Sequence, residues 1–544
     1  MFTYFHCYLP ETWDAQVKAG LINEHSGIRF CESIDIDEEK KFNNLAKKGG
    51  ELYNIVKKNN MPFYIDRLQG GCFIENYNYD MELVNEYKNM LGNKFLGFQM
   101  HEWMSNYRND LRKIYRNGCT EWTAEGITGA IKREFNFDHL FLEAMTLDEM
   151  VAEGEANALE SFTKASENLF KKRQDYTGGY LVPADSYFLA YPLELKLGAK
   201  YLMPEIGAQI LNTRVQVAFA RGMAKAYKIP FGTYYEPWGG DPFSACCYQR
   251  DNLNEWNLSG AADFPFVTMG ENGGSSRSLQ RRMHLYSYMA GAEFMAEEWG
   301  MCNTFYDWKE FELSPYGKVK KDFIDFTEKY NNIGKPIVPV AAVISKDIPV
   351  IEAGLDKSDR YLDYPVSGEL KKKLDIAYDG LRKMFMATGK MIGTETDKLL
   401  NCVLPDAIDI VSSDSINAND YQYIVDLTDE SEFAENNKNK IISIDEVPNI
   451  LEDILPIKVD GTVMKQFTKN AEGTVYMMLL NNSGIERSVH KGEILLPEAT
   501  ENVTFNTKGK KLTVLETDGE YEENTDGTYK VTIPAGGFFF ASIK

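Results

Sequence analysis

The feature that most constrains the fold is a regular alternation over the first 335 residues, where eight short β-like runs are separated by amphipathic stretches. The runs are 2–8, 28–34, 62–67, 95–100, 180–185, 201–205, 231–236 and 293–298. Strands that alternate with helices pair in parallel, because each helix carries the chain back to the edge from which the strand set out. Between the runs, 38–58 places Phe42, Leu45, Leu52, Ile55 and Val56 at helical spacing. The stretch 212–227 continues a stripe of Leu211, Val215, Phe219 and Met223 around an Asn-Thr cap. Eight such units predict a closed (β/α)8 barrel, that is, a TIM barrel. An open doubly wound sheet would carry a glycine-rich phosphate turn, and no GxGxxG follows any of the runs.

The remainder of the chain changes period twice. The stretch 107–177 is too long for a simple connection, and its helical patterns at 145–158 and 159–172 predict an insertion after the fourth strand, placed to form one wall of a cleft. Around Gly334-Lys335-Pro336 the pattern resets. Strands at 337–344, 421–427 and 440–445, with helical stretches at 369–386 and 430–437, predict a small flavodoxin-like α/β domain. No Ser/Thr/Gly-rich phosphate loop follows Ile344, so a structural or oligomerisation role is expected rather than a flavin site. Runs at 475–480, 503–506, 512–515, 529–533 and 538–543 are separated by Asn-Asn-Ser-Gly, Thr-Lys-Gly and Asp-Gly turns, which predict a small antiparallel β-sandwich-like domain. The expected domains are 1–335, 336–455 and 456–544.

A formal net charge of −22 argues against nucleic acid and anionic membrane as partners, since the long-range field repels both. The eight cysteines have no CxxC and no neighbouring His/Cys cluster, so reduced thiols, no metal site and no cofactor are expected. The N-terminus MFTYFHCYLPETWDAQ has neither a basic segment nor a long apolar one, and no apolar run approaches the ~20 residues of a membrane span. A cytoplasmic protein is the expectation.

The chemistry-bearing residues cluster at the ends of the runs. In FGTYYEPWGGD, residues 231–241, an aromatic strand delivers Glu236 into a Pro-Trp-Gly-Gly turn. Other runs end at Glu102 (FLGFQMHEW), Asp185 (LVPADSY), Glu205 (KYLMPEIG) and the pair Glu297-Glu298 (EFMAEEWG), of which only one can face inward. In a barrel all these ends converge on one face. So many acids are costly there unless they bind cations or a polyhydroxylated substrate, and without metal-ligand spacing a sugar is the simplest answer. All seven tryptophans precede residue 335, and Trp103, Trp238 and Trp299 stand beside strand-ending glutamates, where an aromatic face can stack on a sugar ring. Asp66 and Arg67 end the third run, where the arginine is placed to pair with Glu102 or Glu236 or to form a structural ion pair. If 2–8 is the first strand, Glu102 ends the fourth and Glu236 the seventh, across the mouth from each other. Paired carboxylates there can perform double displacement, one attacking the anomeric carbon and the other protonating the leaving oxygen. Starting the count at 28 would move both by one.

With these segments in view the chain resembles the clan-A glycoside hydrolases, and most the family-42 β-galactosidases, whose parts are a barrel, a flavodoxin-like trimerisation domain and a small β-domain. GFQMHEW resembles that family's strand-4 segment and YYEPWGG its strand-7 segment. SLQRRMHLYSYMAGAEFMAEEWG is similar to its arginine-bearing helix and eighth strand, and SPYGKVKKDFIDF with PIVPVAAVIS to its passage into the second domain. The resemblance implies Glu102 as acid/base, Glu236 as nucleophile, and a homo-oligomer, dimer or trimer. His101 stands where the clan has the Asn that binds the sugar 2-hydroxyl, so the sugar need not be galactose, and His101 has a purely structural reading as well. The zinc-binding cysteine cluster of some members is absent. The expected activity is a retaining exo-glycosidase acting on a terminal sugar of an oligosaccharide or glycoconjugate. The alternatives are a hydrolase of other sugar or anomeric specificity that uses Asp185 or Glu205, and a non-catalytic carbohydrate-binding protein on a decayed barrel.

Overall fold

A computed structural model of the chain describes residues 2–31, 45–66, 81–101, 103–104, 123, 125, 159–185, 187–207, 212–236, 276–298, 300, 304–306, 309–348, 360–361, 364–366, 368–385, 401–402, 404–488 and 492–544. Eight parallel strands form a closed barrel in sequence order: β1 (Thr3–Cys7), β2 (Gly27–Cys31), β3 (Phe63–Asp66), β4 (Phe95–His101), β5 (Leu181–Asp185), β6 (Met203–Gly207), β7 (Gly232–Glu236) and β8 (Phe294–Glu297). The ring closes where Thr3, Tyr4 and Phe5 pair with Phe294, Met295 and Ala296. The run at 2–8 is therefore strand one, and Glu236 ends strand seven.

Period-two alternation sorts the side chains into two cores. Phe5, Tyr64, Leu96, Val182, Ala184, Met203, Tyr234, Phe294 and Ala296 fill the barrel interior. Their neighbours in sequence, among them Tyr4, Phe63, Ile65, Tyr235 and Met295, pack outward against the helices. Strand β4 breaks the alternation at Gly97, whose φ of +112° permits a bulge: Phe63 pairs with Phe95 but Tyr64 with Gly97. Beyond that slip Phe98 and Met100 belong to the outer core although Leu96 belongs to the inner one.

Helices Glu51–Asn59, Met81–Leu91, Thr213–Tyr227, Arg277–Met289 and Pro315–Lys329 surround the barrel. Of the insertion expected at 107–177, the structure describes the helix Leu159–Tyr176, and the pattern at 145–158 lies outside the described residues.

The second sheet is parallel, with strand Val340–Ile344 inside, Ile408–Ser412 on one flank, and Tyr423–Leu427 then Ile441–Ile442 on the other. This is the strand order of a flavodoxin-like sheet. Strand Ile441–Ile442 is shorter than the run 440–445 suggests, because Ser443 and Glu446 form a capping box that opens a 3₁₀ turn over Ile444–Glu446. At the carboxyl edge of the sheet the Glu430 carboxylate accepts hydrogen bonds from Ser345 Oγ (2.6 Å) and Ser413 Oγ (3.1 Å). The C-terminal part forms two antiparallel sheets. One contains strands Val459–Asp460, Glu501–Asn506, Thr528–Ile533 and Tyr521–Glu523; the other contains Leu512–Thr517, Phe538–Ile543, Val475–Leu480, Met464–Lys469 and the two-residue Lys335–Pro336.

The barrel and the second sheet meet along helix Thr213–Tyr227. A Cβ on Gly222 would fall 2.2 Å from the Ile410 carbonyl oxygen, so the glycine sets how closely helix and sheet approach. Next to it in sequence, buried Arg221 donates through Nε to Asp409 Oδ1 (2.6 Å), through Nη1 to Asp406 Oδ2 (3.2 Å) and through Nη2 to the Ile408 carbonyl (3.0 Å). Removing the guanidinium leaves two buried carboxylates short of positive charge. Arg221→Met is expected to lower stability by about 3–5 kcal/mol, as read by chemical denaturation.

Candidate active site

Three acids converge at the carboxyl ends of consecutive strands. Glu205 sits in β6, Glu236 closes β7, and Glu298 follows β8, its N–H donating to the Tyr235 carbonyl at 2.8 Å. One carboxylate oxygen of each lies within 4.8 Å of the other two, and all three side chains are buried. Parity explains the grouping: two residues earlier on each strand stand Met203, Tyr234 and Ala296, all in the interior core.

A cation shares this interior. Arg29 of β2 is 1% exposed, donates through Nη2 to Tyr234 Oη at 2.6 Å and through Nη1 to the Glu297 carbonyl, and lies 5.0 Å from the centroid of the Tyr234 ring. Tyr234 stands two residues before Glu236 on β7 and Glu297 directly before Glu298 at the end of β8, so a permanent positive charge lies on the interior side of the acid group. Arg67, the cation that the sequence places at the end of the third run, lies outside the described residues. The signal for Arg29 was a lone arginine inside the apolar run GIRFC.

Of the consecutive pair, Glu298 faces the interior and Glu297 faces the helices. Glu297 accepts from Gln280 Nε2 at 2.9 Å, with His284 Nε2 at 3.1 Å and Lys320 Nζ at 2.8 Å; Lys320 in turn donates to Thr304 Oγ1 at 2.8 Å. Burial pushes the Glu297 carboxyl upward, but the Lys320 charge and the His284 hydrogen bond outweigh it and hold the group well below the usual carboxylate range. The same pocket keeps His6 neutral: burial first, then Lys320, lower it to about 3.

The other candidates are distributed as follows. Asp185 gives both oxygens to main-chain donors, Oδ2 accepting from Met104 N–H at 2.7 Å and Oδ1 from Tyr187 N–H at 3.0 Å. Trp103 is wholly buried, its Nε1–H donating to Glu194 Oε1 at 2.8 Å and its ring 5.6 Å from that of Phe170 on helix Leu159–Tyr176. Asp66 and His101 are the last residues of β3 and β4, and their side chains, with Glu102, Trp238 and Trp299, lie outside the described residues. Glu194 had no signal, since YPLELK reads as any short amphipathic helix.

Three buried carboxylates at this spacing can accept hydrogen bonds from sugar hydroxyls or attack an electron-poor carbon. The same oxygens are a donor set that a hard divalent cation accepts. No helix among the described residues is long and apolar enough to cross a membrane.

No family model matches the chain, and no curated protein matches it. Solved structures similar to it include α-L-fucosidase isoenzyme 2 from Paenibacillus thiaminolyticus, at 9% identity and a TM-score of 0.47 over 100% of this chain and 99% of that one. A β-galactosidase from the Antarctic haloarchaeon Halorubrum lacusprofundi is similar at 10% identity and a TM-score of 0.40, over 100% and 99%. A GH5_18 structure from Bifidobacterium longum subsp. longum is similar at 11% identity and a TM-score of 0.33, over 78% and 97%.

Proposed function

We propose that the protein is a retaining glycoside hydrolase acting on a terminal sugar of an oligosaccharide or glycoconjugate. The observation that carries this reading is the convergence of Glu205, Glu236 and Glu298 at one mouth of a closed barrel, with Arg29 beneath them. Glu236 is assigned as nucleophile and Glu102 as acid/base, following the strand-7 and strand-4 motifs. In the first step a Glu236 oxygen bonds to the anomeric carbon as the glycosidic C–O bond breaks, and the departing oxygen takes the Glu102 proton. In the second, Glu102 accepts a proton from water, which attacks the same carbon and releases Glu236. Glu205 and Glu298, too close to Glu236 to stand idle, receive sugar hydroxyls. Arg29, held by Tyr234 and the Glu297 carbonyl, supplies a fixed positive charge on the interior side of the site. The homo-oligomer remains part of this proposal through the flavodoxin-like sheet.

The proximity of Glu205 to Glu236 supports a second reading, in which Glu205 is the proton donor. A panel of chromogenic aryl glycosides identifies the sugar. A 2-deoxy-2-fluoro glycoside of that sugar, followed by peptide mass spectrometry, is expected to place the trapped ester on Glu236; an ester elsewhere overturns the assignment. Loss of activity towards poor leaving groups in Glu205→Ala but not Glu102→Ala would select the second reading.

A further inference from the structure

The chain on both sides of Glu102 is tied to the β5 unit. Before it, His101 pairs with Ala184 of β5. After it, the Trp103 indole N–H is held by Glu194 and the Met104 N–H by Asp185, at 2.8 and 2.7 Å. Asp185 is itself fixed by the Tyr187 N–H. Glu194, on helix Tyr191–Lys196, is an unusual choice for this work. It is 1% exposed, has no ion-pair partner among the described residues, and its Oε2 has no hydrogen-bond partner among them. Burial pushes its carboxyl up to about 8; the Trp103 hydrogen bond opposes this and the nearby Asp185 charge adds to it. At neutral pH it is a neutral acid whose oxygen accepts the indole proton. An apolar side chain here would leave the buried indole N–H without its acceptor, so the carboxyl holds Trp103 in one orientation.

We propose that Glu194 is a positioning residue: through the Trp103 N–H, and alongside the Asp185 clamp on Met104, it aligns Glu102 for proton transfer to the leaving oxygen. This inference rests on Glu102 being the acid/base. Displacement of a reacting group by 1 Å costs on the order of 10²-fold in rate. That loss appears only where proton transfer matters: a phenoxide needs the proton as the C–O bond breaks, and a 2,4-dinitrophenoxide leaves without it.

The test compares Trp103→Phe, Glu194→Leu and Glu194→Gln on phenyl and 2,4-dinitrophenyl glycosides of the sugar that the panel identifies. Trp103→Phe and Glu194→Leu are expected to lower kcat/KM about 10²-fold on the phenyl substrate and less than about 3-fold on the dinitrophenyl one. Glu194→Gln, whose amide oxygen accepts the same bond, is expected to stay within about 3-fold of wild type on both. Equal losses on the two substrates in Trp103→Phe, or damage in Glu194→Gln equal to that in Glu194→Leu, would overturn the proposal. Glu102→Ala separates this failure from that of the underlying reading. If Glu102→Ala itself shows no leaving-group dependence, the acid/base assignment falls and the positioning role with it; if it does and Trp103→Phe does not, only the positioning role falls.

Discussion

Glu236→Gln is expected to lower kcat by on the order of 10⁴-fold or more while leaving the fold intact, since amide and carboxylate have nearly the same shape and only the nucleophile is lost. The two contributions separate experimentally. Far-ultraviolet circular dichroism and thermal unfolding of Glu236→Gln should overlay the wild type, because the amide keeps the carboxylate's shape among the neighbouring acids Glu205 and Glu298. In Glu236→Gly, sodium azide should restore turnover and yield a glycosyl azide of inverted configuration, because the small anion enters from the side the carboxylate has vacated. Retained activity in Glu236→Gln would end the assignment.

The second large effect concerns stability. Lys320 and Glu297 form a 2.8 Å ion pair in which both side chains are almost wholly buried, 3% and 1% exposed. Lys320→Met is expected to cost about 3–5 kcal/mol at neutral pH, since it leaves the Glu297 charge buried with only His284 and Gln280 to receive it. The pH dependence should also change. In the wild type the Glu297 carboxyl is depressed, so its stabilising contribution is complete above the unfolded glutamate value of ~4.3 and is lost as pH falls through the folded value. In Lys320→Met the burial that already pushes this carboxyl upward loses its main opponent, and the folded value rises above the unfolded one. Stability of the variant should therefore increase as pH is lowered from neutral, whereas the wild-type contribution of this group stays flat down to ~4.3 and falls only below it. Denaturant midpoints between pH 4.5 and 7.5 check this, and parallel curves would refute it.

Much of the architecture was legible in the residues. The strand count was readable because buried parallel strands are continuous apolar runs between amphipathic stretches, and the ring closes at the predicted first strand. Boundaries were less so where local hydrogen bonding competes with the ladder, as at the Ser443–Glu446 capping box. The strand Ile408–Ser412 escaped notice because IDIVS is too short to show a period before the polar turn that follows it.

The site was legible only in part. That Glu236 ends a strand was visible in the sequence, and Glu205 was placed at the end of one although β6 continues to Gly207; that both meet Glu298 within 4.8 Å was not visible, because spacing along the chain says nothing about which strand ends are neighbours until the barrel closes. Between Glu297 and Glu298 the sequence had no preference: the period of two demands that one face inward, and the choice follows from Lys320, His284 and Gln280 waiting on the helix side. Trp103 is the clearest contrast. Beside a strand-ending glutamate it suggested a sugar platform, yet its side chain turns into the core and hydrogen-bonds Glu194, a residue 91 positions away.

What the sequence by itself determined is the order of strands and helices, and therefore which acids stand at strand ends, since periodicity is a property of neighbouring residues. Which of those acids share a site, which are spent on main-chain hydrogen bonds or buried ion pairs, and where the compensating cation lies were decided only by the tertiary structure. These depend on contacts between residues hundreds of positions apart, as between Arg29 and Glu297, that no local pattern encodes.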